Sequence, residues 1–254
     1  MNSILLEHHG KVLLPLMEAW LKDQRFPPVL LITGPEGIGK RQIVQYLAQW
    51  LLCERAGWNS ANSEQDGLFG ASLIPQAPRL TPCGECANCL RSQNGNSIDF
   101  TEILPEASDE GRAGTLKIEQ FRELKASQGF GSYAGSYKIT HIAQAETLQV
   151  QAANSLLKIL EEPPPGWIFI LTAADVTLLL PTLVSRCQRL RLKPMSPEQI
   201  TQMLAQEKAP PERIALCAAL AQGSWKKAKA LSEEKNWEMR KRLYQFLESP
   251  AREL

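Results

Sequence analysis

The fold is decided by the stretch Gly34-Pro35-Glu36-Gly37-Ile38-Gly39-Lys40-Arg41. An apolar run at 29–32 precedes it, and a run with helical spacing at 42–52 follows it. Strand, glycine loop and helix in that order are typical of a phosphate-binding loop, because glycines let the backbone turn tightly and aim its N–H groups inward. The helix adds its positive N-terminal end, and a lysine adds a charge at the outer phosphates. The stretch therefore predicts an α/β nucleotide-binding fold, with these candidate residues for ATP: Gly34, Gly37, Gly39, Lys40 and Arg41.

The loop departs from the usual pattern at Arg41. The pattern G-x-x-x-x-G-K-[ST] is met up to Lys40, and the next position should be a Ser or Thr whose hydroxyl ligates magnesium. A guanidinium only donates hydrogen bonds and carries a permanent positive charge, so it cannot ligate a cation. The sequence thus combines a loop suited to phosphate with an altered metal position.

A second departure lies at the end of the strand predicted at 137–143. In an ATPase this strand should end in an Asp that holds magnesium, usually beside a Glu that activates water. Here Ala143 and Gln144 stand at those positions, and the nearest acid, Glu146, comes too late. We interpret Glu146 as a carboxylate that the dipole favours at the start of the next helix. Intrinsic hydrolysis of ATP is therefore not expected, and the binding of ATP stays an open question.

The bulk composition is that of an ordinary globular protein. The chain has 254 residues, of which 44% are hydrophobic and 22% charged, and its net charge is +1. A free-standing DNA-binding protein usually carries a strong basic excess, so the charge argues against that class. Apolar runs stay shorter than the ~18 residues that a membrane helix needs, and the N-terminus lacks the basic start and cleavage site of a signal peptide. We therefore expect a cytoplasmic protein.

Four of the six cysteines form a candidate metal site: Cys53, Cys83, Cys86 and Cys89. The last three make two overlapping C-x-x-C pairs, and four thiolates can complete a tetrahedral zinc site. Because four sulfurs leave no open position for water or substrate, we predict structural zinc in a module at 53–89. The alternatives are a reactive dithiol or a chance cluster. The polar segment 54–82 is predicted to be a surface insertion.

The remaining pattern predicts a parallel sheet flanked by helices, followed by a smaller helical unit. Further strands are expected at 98–104, 168–172 and 188–192, the last of them at a sheet edge. Further helices are expected at 2–26, 118–124 and 148–160, and short helices at 198–206, 211–221, 225–233 and 237–247. Two prolines, Pro194 and Pro197, mark the break between the predicted domains 1–193 and 194–254.

The motifs together resemble one protein family. The glycine loop, the cysteine cluster, the stretch Ala153-Asn154-Ser155-Leu156-Leu157-Lys158-Ile159-Leu160-Glu161-Glu162-Pro163-Pro164 and Ser185-Arg186-Cys187 occur in the chain in that order. This combination resembles the clamp-loader subunits of bacterial DNA polymerase III, which are AAA+ proteins. The resemblance implies an AAA+ P-loop domain at 1–193 and a small all-α lid domain at 194–254. It also implies a collar domain, for which the chain has no room before Leu254.

Two kinds of subunit compete within that family. The gamma and tau motors keep the magnesium hydroxyl and the acidic strand end, whereas the delta-prime stator typically lacks working versions of both. With Arg41 and Ala143 at these places, the chain resembles the delta-prime kind. The resemblance therefore implies a non-hydrolysing subunit of the DNA-directed DNA polymerase (nucleotidyltransferase) holoenzyme, with structural zinc and uncertain ATP binding.

The Ser-Arg-Cys motif implies a catalytic role in trans. In this family its arginine reaches toward the ATP of the neighbouring subunit, so Arg186 is the candidate finger, because a guanidinium can offset charge on the γ-phosphate. A salt-bridged surface arginine is the plain alternative. Thr172 stands at the family's first sensor position, and Lys226 is nearest to a second sensor, although a buried strand threonine and a solvated lysine explain them equally well.

The implied partners are the gamma/tau and delta subunits, and, through the complex, the sliding clamp and primer-template DNA. Two other functions stay open at this point. An active gamma/tau-like ATPase would show magnesium-dependent turnover despite Arg41, and a zinc-containing DNA-binding module would bind DNA in a salt-sensitive way.

Overall fold

The computed structural model describes residues 3–23, 25–56, 79–106, 114–126 and 137–248. Most of the predicted insertion at 54–82 and the glycine-containing loop at 129–135 lie outside these residues. Within them the chain divides into two compact units. One contains His9–Gly34 and Lys40–Leu192, and the other contains Pro35–Gly39 and Lys193–Leu254 together with the first residues.

The first unit is built on a five-stranded parallel sheet. Its strands are β1 (Val29–Thr33), β2 (Phe100–Ile103), β3 (Lys138–Ile142), β4 (Trp167–Ala173) and β5 (Gln188–Arg191). Their order across the sheet is β2-β3-β4-β1-β5, which places β5 at an edge as predicted. Every residue of β1 and β4 is buried, as expected for inner strands of a parallel sheet covered on both faces.

Helices cover the sheet, and those that were predicted begin and end close to the predicted positions. In the first unit, apart from the start of α1, they are α1 (Ser3–Lys22), α2 (Lys40–Leu52), α3 (Ala87–Gln93), α4 (Ile118–Ala126), α5 (Val150–Glu161) and α6 (Pro181–Val184). The helices α3 and α6 were not predicted. Among the predicted elements, the largest differences are that α1 ends at Lys22 rather than 26 and that β2 is shorter than 98–104. The two differences in length arise because the ends of helices and strands depend on capping groups more than on hydrophobic periodicity.

Two apolar layers enclose the sheet. On one face α4 and α5 pack Phe121 and Leu156 against strand residues such as Phe169 and Leu171. The alternate strand residues, among them Leu30 and Ile32, point to the other face and are also fully buried. The helix α2 buries a stripe at helical spacing there, consisting of Ile43, Leu47 and Leu51. Among the described residues, no helix is long and apolar enough to span a membrane.

The second unit is helical. It contains α7 (Pro197–Gln206), α8 (Pro211–Leu220), α9 (Trp225–Ser232) and α10 (Glu234–Glu248). Its core gathers Met195, Ile200, Met203, Leu204, Cys217, Ala218, Ala221, Trp225 and Ala228. The helix α7 starts with a full capping box, in which Ser196 and Gln199 bond to each other's backbone N–H.

Candidate functional site

The backbone of the glycine loop adopts positive φ angles, which glycine reaches with little strain. Gly37 has φ +75° and Gly39 has φ +97°, a region that costs other residues about 1–2 kcal/mol. Lys40 begins α2, and its Nζ donates a hydrogen bond to the carbonyl oxygen of Gly34. The lysine that the motif assigns to phosphate thus contacts the start of the loop itself.

Within the second unit, Gly37 lies directly against the start of α9. The backbone N–H of Lys226 donates to the Gly37 carbonyl at 3.1 Å. A Cβ at Gly37 would lie 2.3 Å from the Ser224 hydroxyl oxygen and 2.7 Å from the Lys226 Cβ. Only glycine fits this approach. Lys226 therefore meets the loop through its backbone, whereas its side chain is exposed.

Arg41 is bound to a carboxylate of the edge strand β2. Its Nε donates to both oxygens of Glu102, at 2.9 and 3.2 Å, and a second nitrogen, NH2, also contacts Oε2. This fork-to-carboxylate geometry is the strong form of an arginine ion pair. The residue that replaces the magnesium hydroxyl in the motif is thus held by a partner and fixed in place.

The pair continues inward as a buried polar chain that sequence analysis did not predict. His141 on β3 contacts Glu102 through Nδ1 at 2.9 Å and Thr172 on β4 through Nε2 at 3.1 Å. His141 is 1% exposed and Thr172 4%. An ionised carboxylate only accepts, so Nδ1–H donates to Glu102, and in the neutral imidazole Nε2 accepts from the threonine hydroxyl. The candidate sensor Thr172 is thereby connected to Arg41 through two side chains.

Electrostatics favour the ionised form of Glu102. Its burial works to raise its pKa, but hydrogen bonds from His141 and Arg41, together with the Arg41 charge, lower the pKa to about 2. The hydrogen bond that Arg41 donates to Glu102 in turn raises the pKa of Arg41. Around neutral pH the pair is therefore fully charged on both sides and neutral as a whole.

The cleft beside Arg41 is consequently without net charge among its described lining residues. It has a volume of about 740 Å³ and lies between α2, α3 and β2. Its lining is Arg41, Gln42, Gln45, Tyr46, Gln49, Ser92, Gln93, Gly95, Ser97, Phe100 and Glu102. A polyanion finds no surplus cation here, because Glu102 already neutralises Arg41.

The strand end that should carry the ATPase acids does not present any. Ala143 is buried, and Gln144 follows with φ +51°. Glu146 lies in a 3-10 turn at Ala145–Thr147, and its Oε1 accepts the backbone N–H of Ala174 at 3.1 Å. Its Oε2 is buried without a hydrogen-bond partner among the described residues. The Glu146 carboxylate thus ties the end of β3 to the end of β4.

The four predicted metal-ligand cysteines come together. The sulfurs of Cys53, Cys83, Cys86 and Cys89 all lie within 4.8 Å of one another, and those of Cys83 and Cys89 are 3.9 Å apart. Zinc–sulfur bonds of 2.3 Å in a tetrahedron require sulfurs about 3.8 Å apart. The donor set and its spacing therefore fit a zinc ion closed to water and substrate.

Local backbone structure positions these thiols. Cys53 directly follows α2, and Cys86 is the N-cap of α3, where its sulfur accepts the N–H of Cys89 at 3.4 Å. The sulfur of Cys83 accepts the N–H of Cys86 at 3.3 Å. Burial works to raise the pKa of Cys83, but the backbone N–H groups of Glu85 and Cys86 and the neighbouring thiols lower it to about 6. Burial raises the pKa of the Cys53 and Cys89 thiols, so a metal would have to displace protons from these two on binding.

Arg186 lies just after α6, on an exposed part of the first unit. Its NH2 contacts Oε1 of Glu161 at 2.6 Å, and its NH1 donates to the carbonyl oxygen of Thr182 at 2.8 Å. The neighbouring Cys187 packs against the core of the sheet, and burial raises the pKa of its thiol to about 12. The motif therefore presents an accessible guanidinium next to a cysteine that serves packing.

The family described as "DNA polymerase III, delta subunit" matches residues 59–196, which is more than half of the chain. The chain belongs to this family. Proteins named DNA polymerase III subunit tau/gamma, tau and delta' are all similar to the chain.

Two relatives show how wide the similarity is. DNA polymerase III subunit tau/gamma of Haemophilus influenzae is 34% identical over 84% of this chain and 28% of its own length. DNA polymerase III subunit delta' of Escherichia coli is 31% identical over 86% of this chain and 58% of its own length. The chain thus spans between about a quarter and three fifths of these relatives. The identities to the tau/gamma and delta' subunits differ too little to show which kind of subunit the chain is.

The fold has structural neighbours as well. A point mutant of RuvB from Thermotoga maritima is 13% identical, covers 89% of this chain and 60% of its own, and reaches a TM-score of 0.51. At this identity the likeness concerns the fold alone. The predicted α/β fold, a parallel sheet flanked by helices, is confirmed.

Proposed function

We propose that this chain is a non-hydrolysing, delta-prime-type subunit of a DNA polymerase III clamp loader, which helps place the sliding clamp on primed DNA. The observation that carries the proposal is the bidentate pair of Arg41 with Glu102 at the metal position of the glycine loop. Relatives named tau, gamma and delta' support a place in that complex. Its partners would be the gamma/tau and delta subunits, and, through them, the clamp and primer-template DNA.

Hydrolysis is disfavoured because ligands for magnesium are missing. Phosphoryl transfer needs magnesium bridging the outer phosphates, held by a hydroxyl and an acid. Arg41 offers only N–H donors in place of the hydroxyl and is already paired with Glu102, and Ala143 supplies no carboxylate. Gly34, Gly37, Gly39 and Lys40 are nevertheless the parts that hold phosphate, so the proposal separates ATP binding from ATP turnover.

The cysteine cluster would hold structural zinc in the module 53–89. Its four sulfurs fill a tetrahedron, which leaves no open position for a substrate. Asn88 supports this by donating from Nδ2 to the Leu52 carbonyl at 3.0 Å. The metal would therefore fasten α3 to the end of α2. We propose the domains as an AAA+ P-loop domain at 1–193, which includes this module, and a lid at 194–254.

Catalysis would enter in trans through Arg186. Its guanidinium lies on an exposed surface, where a neighbouring subunit could present its own nucleotide. An arginine finger of this kind can change the rate of phosphoryl transfer by 10³–10⁵. The chain would then support turnover at a site that it does not own.

The second candidate is an active motor of the same family. The intact glycines, Lys40 and the 34% identity to a tau/gamma subunit favour it. A zinc-containing DNA-binding module is the weaker third, because the net charge is only +1.

The test of the proposed function is Arg186→Ala in the complex reconstituted with the ATPase subunits of the same organism. Loss of the finger should lower the DNA-stimulated ATPase at the shared site by at least about tenfold, while assembly, followed by gel filtration, stays intact. The matched control is Arg122→Ala, since Arg122 is an exposed arginine on α4 with a partner at 3.8 Å. An ATPase rate equal to that of the control would remove the finger role.

A further inference from the structure

Glu161 occupies an electrostatically unfavourable place. It is the last residue of α5, where the helix dipole concentrates negative charge and disfavours a carboxylate. Three prolines at 163–165 follow and prevent the helix from continuing. A neighbouring cation therefore stabilises the charge of Glu161 at this point.

That cation is Arg186. Oε1 of Glu161 lies 2.6 Å from one guanidinium nitrogen, and a second nitrogen donates to the Thr182 carbonyl. The two contacts use the two terminal nitrogens and hold the guanidinium between the end of α5 and the helix α6. The side chains are 35% exposed for Arg186 and 50% for Glu161. The pair is therefore open to solvent and to any molecule that docks here.

We infer that Glu161 is a positioning residue that masks Arg186 until the phosphate of a docked neighbour's nucleoside triphosphate replaces it. This inference rests on the proposed finger role of Arg186. In the free chain the guanidinium is neutralised by Glu161. In the assembled complex it exchanges this carboxylate for the γ-phosphate, while Thr182 keeps holding the other nitrogen.

The exchange is physically easy. Exposed ion pairs shift an equilibrium by no more than about fivefold, so the pair with Glu161 opens readily. A γ-phosphate carries more negative charge than a carboxylate and accepts a hydrogen bond from the same guanidinium nitrogen. Glu161 competes with the phosphate for Arg186, so its removal should strengthen nucleotide binding at the shared site.

The experiment uses the reconstituted complex with the full chain carrying Glu161→Gln. The matched control is Glu162→Gln, which removes a neighbouring exposed carboxylate of the same segment. The dissociation constant of ATPγS with magnesium, measured at low salt, should fall about two- to fivefold for Glu161→Gln and stay at the native value for Glu162→Gln. The difference between the two variants should shrink at 0.5 M salt, because exposed charges are screened.

A second pair of variants ties the effect to Arg186. In the Arg186→Ala background, Glu161→Gln should leave the affinity unchanged, since no guanidinium is left to be released. Equal affinities for the Glu161 and Glu162 variants, or a gain that persists without Arg186, would overturn the masking role alone. If Arg186→Ala leaves both affinity and ATPase rate unchanged, the finger role fails and the inference fails with it.

Discussion

The guanidinium of Arg41 and the carboxylate of Glu102 form the most consequential pair of single residues in the chain. Each would be harmful alone, since a free arginine would attract anions indiscriminately and an unpaired, largely buried carboxylate is costly. Glu102 is 16% exposed and Arg41 56%, so the pair sits at the boundary of core and solvent. His141 completes it from inside. The arginine at the altered metal position is thus part of a hydrogen-bonded network with Glu102 and His141.

This pair predicts a specific dependence of stability on pH. The pKa of Glu102 is lowered in the folded state, from 4.5 to about 2. Its stabilisation is therefore fully present above pH 4.5 and is lost as the pH falls toward 2. The shift would correspond to about 3 kcal/mol, which screening at the exposed Arg41 reduces to on the order of 1–2 kcal/mol.

The measurement is urea unfolding of the native chain and of Glu102→Gln between pH 6 and pH 3. The variant should be less stable by about 1–2 kcal/mol at pH 6, and the two free energies of unfolding should converge as the pH falls. Glu119→Gln, which removes an exposed carboxylate on α4, serves as the control. Parallel curves for native chain and Glu102→Gln would refute the network.

Among these residues, Arg41 could be recognised from the sequence, whereas its partners Glu102 and His141 could not. A motif fixes which residue type belongs at position 41, so the departure is visible at once. Glu102 and His141 are 39 residues apart in the chain and on separate strands. Strand alternation predicts which residues of one strand share a face of the sheet. It does not predict which residue of another strand lies beside Glu102 or His141. That pairing follows only from the parallel register of β2 and β3.

At the scale of elements, α3 shows how a short helix depends on its first residue. It has seven residues, too few to be stable by hydrogen bonding alone. Cys86 caps it, and the thiols of Cys53, Cys83 and Cys89 surround that cap. The spacing of cysteines predicted this cluster, because C-x-x-C constrains a local turn. The insertion 54–82 carries no such constraint, and its course could not be predicted.

The cap and the proposed metal ligand can be separated by substitution. Cys86→Ser keeps a good N-cap oxygen but removes a thiolate, whereas Cys86→Ala removes both. We expect zinc, measured by elemental analysis, to fall from about one per chain to well below that in both variants. Hydrogen exchange in α3 should accelerate in both, and more in the alanine variant. The overall fold should persist.

Cys217→Ser is the control, because that cysteine is buried in the helical unit and belongs to a different core. It should keep the full zinc content. A Cys86→Ser protein that still binds one zinc with native affinity would show that the four sulfurs do not form one closed site.

At the scale of the whole molecule, the order of helices and strands was predictable. The grouping of the loop residues Pro35–Gly39 with the helical unit was not. Apolar runs, glycines and prolines mark where each strand and helix lies, and right-handed parallel connections then leave few topologies. The grouping of Pro35–Gly39 with the helical unit rests on contacts such as that of Gly37 with Lys226, which join residues far apart in the chain. No local pattern encodes such a contact.

The whole chain also makes the sharpest prediction about turnover. Hydrolysis needs the loop, the metal hydroxyl and the acidic strand end at once, and this chain keeps only the loop. Purified protein with ATP and magnesium should therefore release no more phosphate than its Lys40→Ala variant, in which the loop itself is disabled.

Arg41→Thr alone should not install turnover, because Ala143 still offers no carboxylate to the metal. Equilibrium binding of ATP, measured with and without magnesium, should show no gain from the metal in the native chain. Magnesium-dependent phosphate release by the native chain that Lys40→Ala abolishes would make it a motor, and Arg41 would then have to leave Glu102 during the reaction cycle.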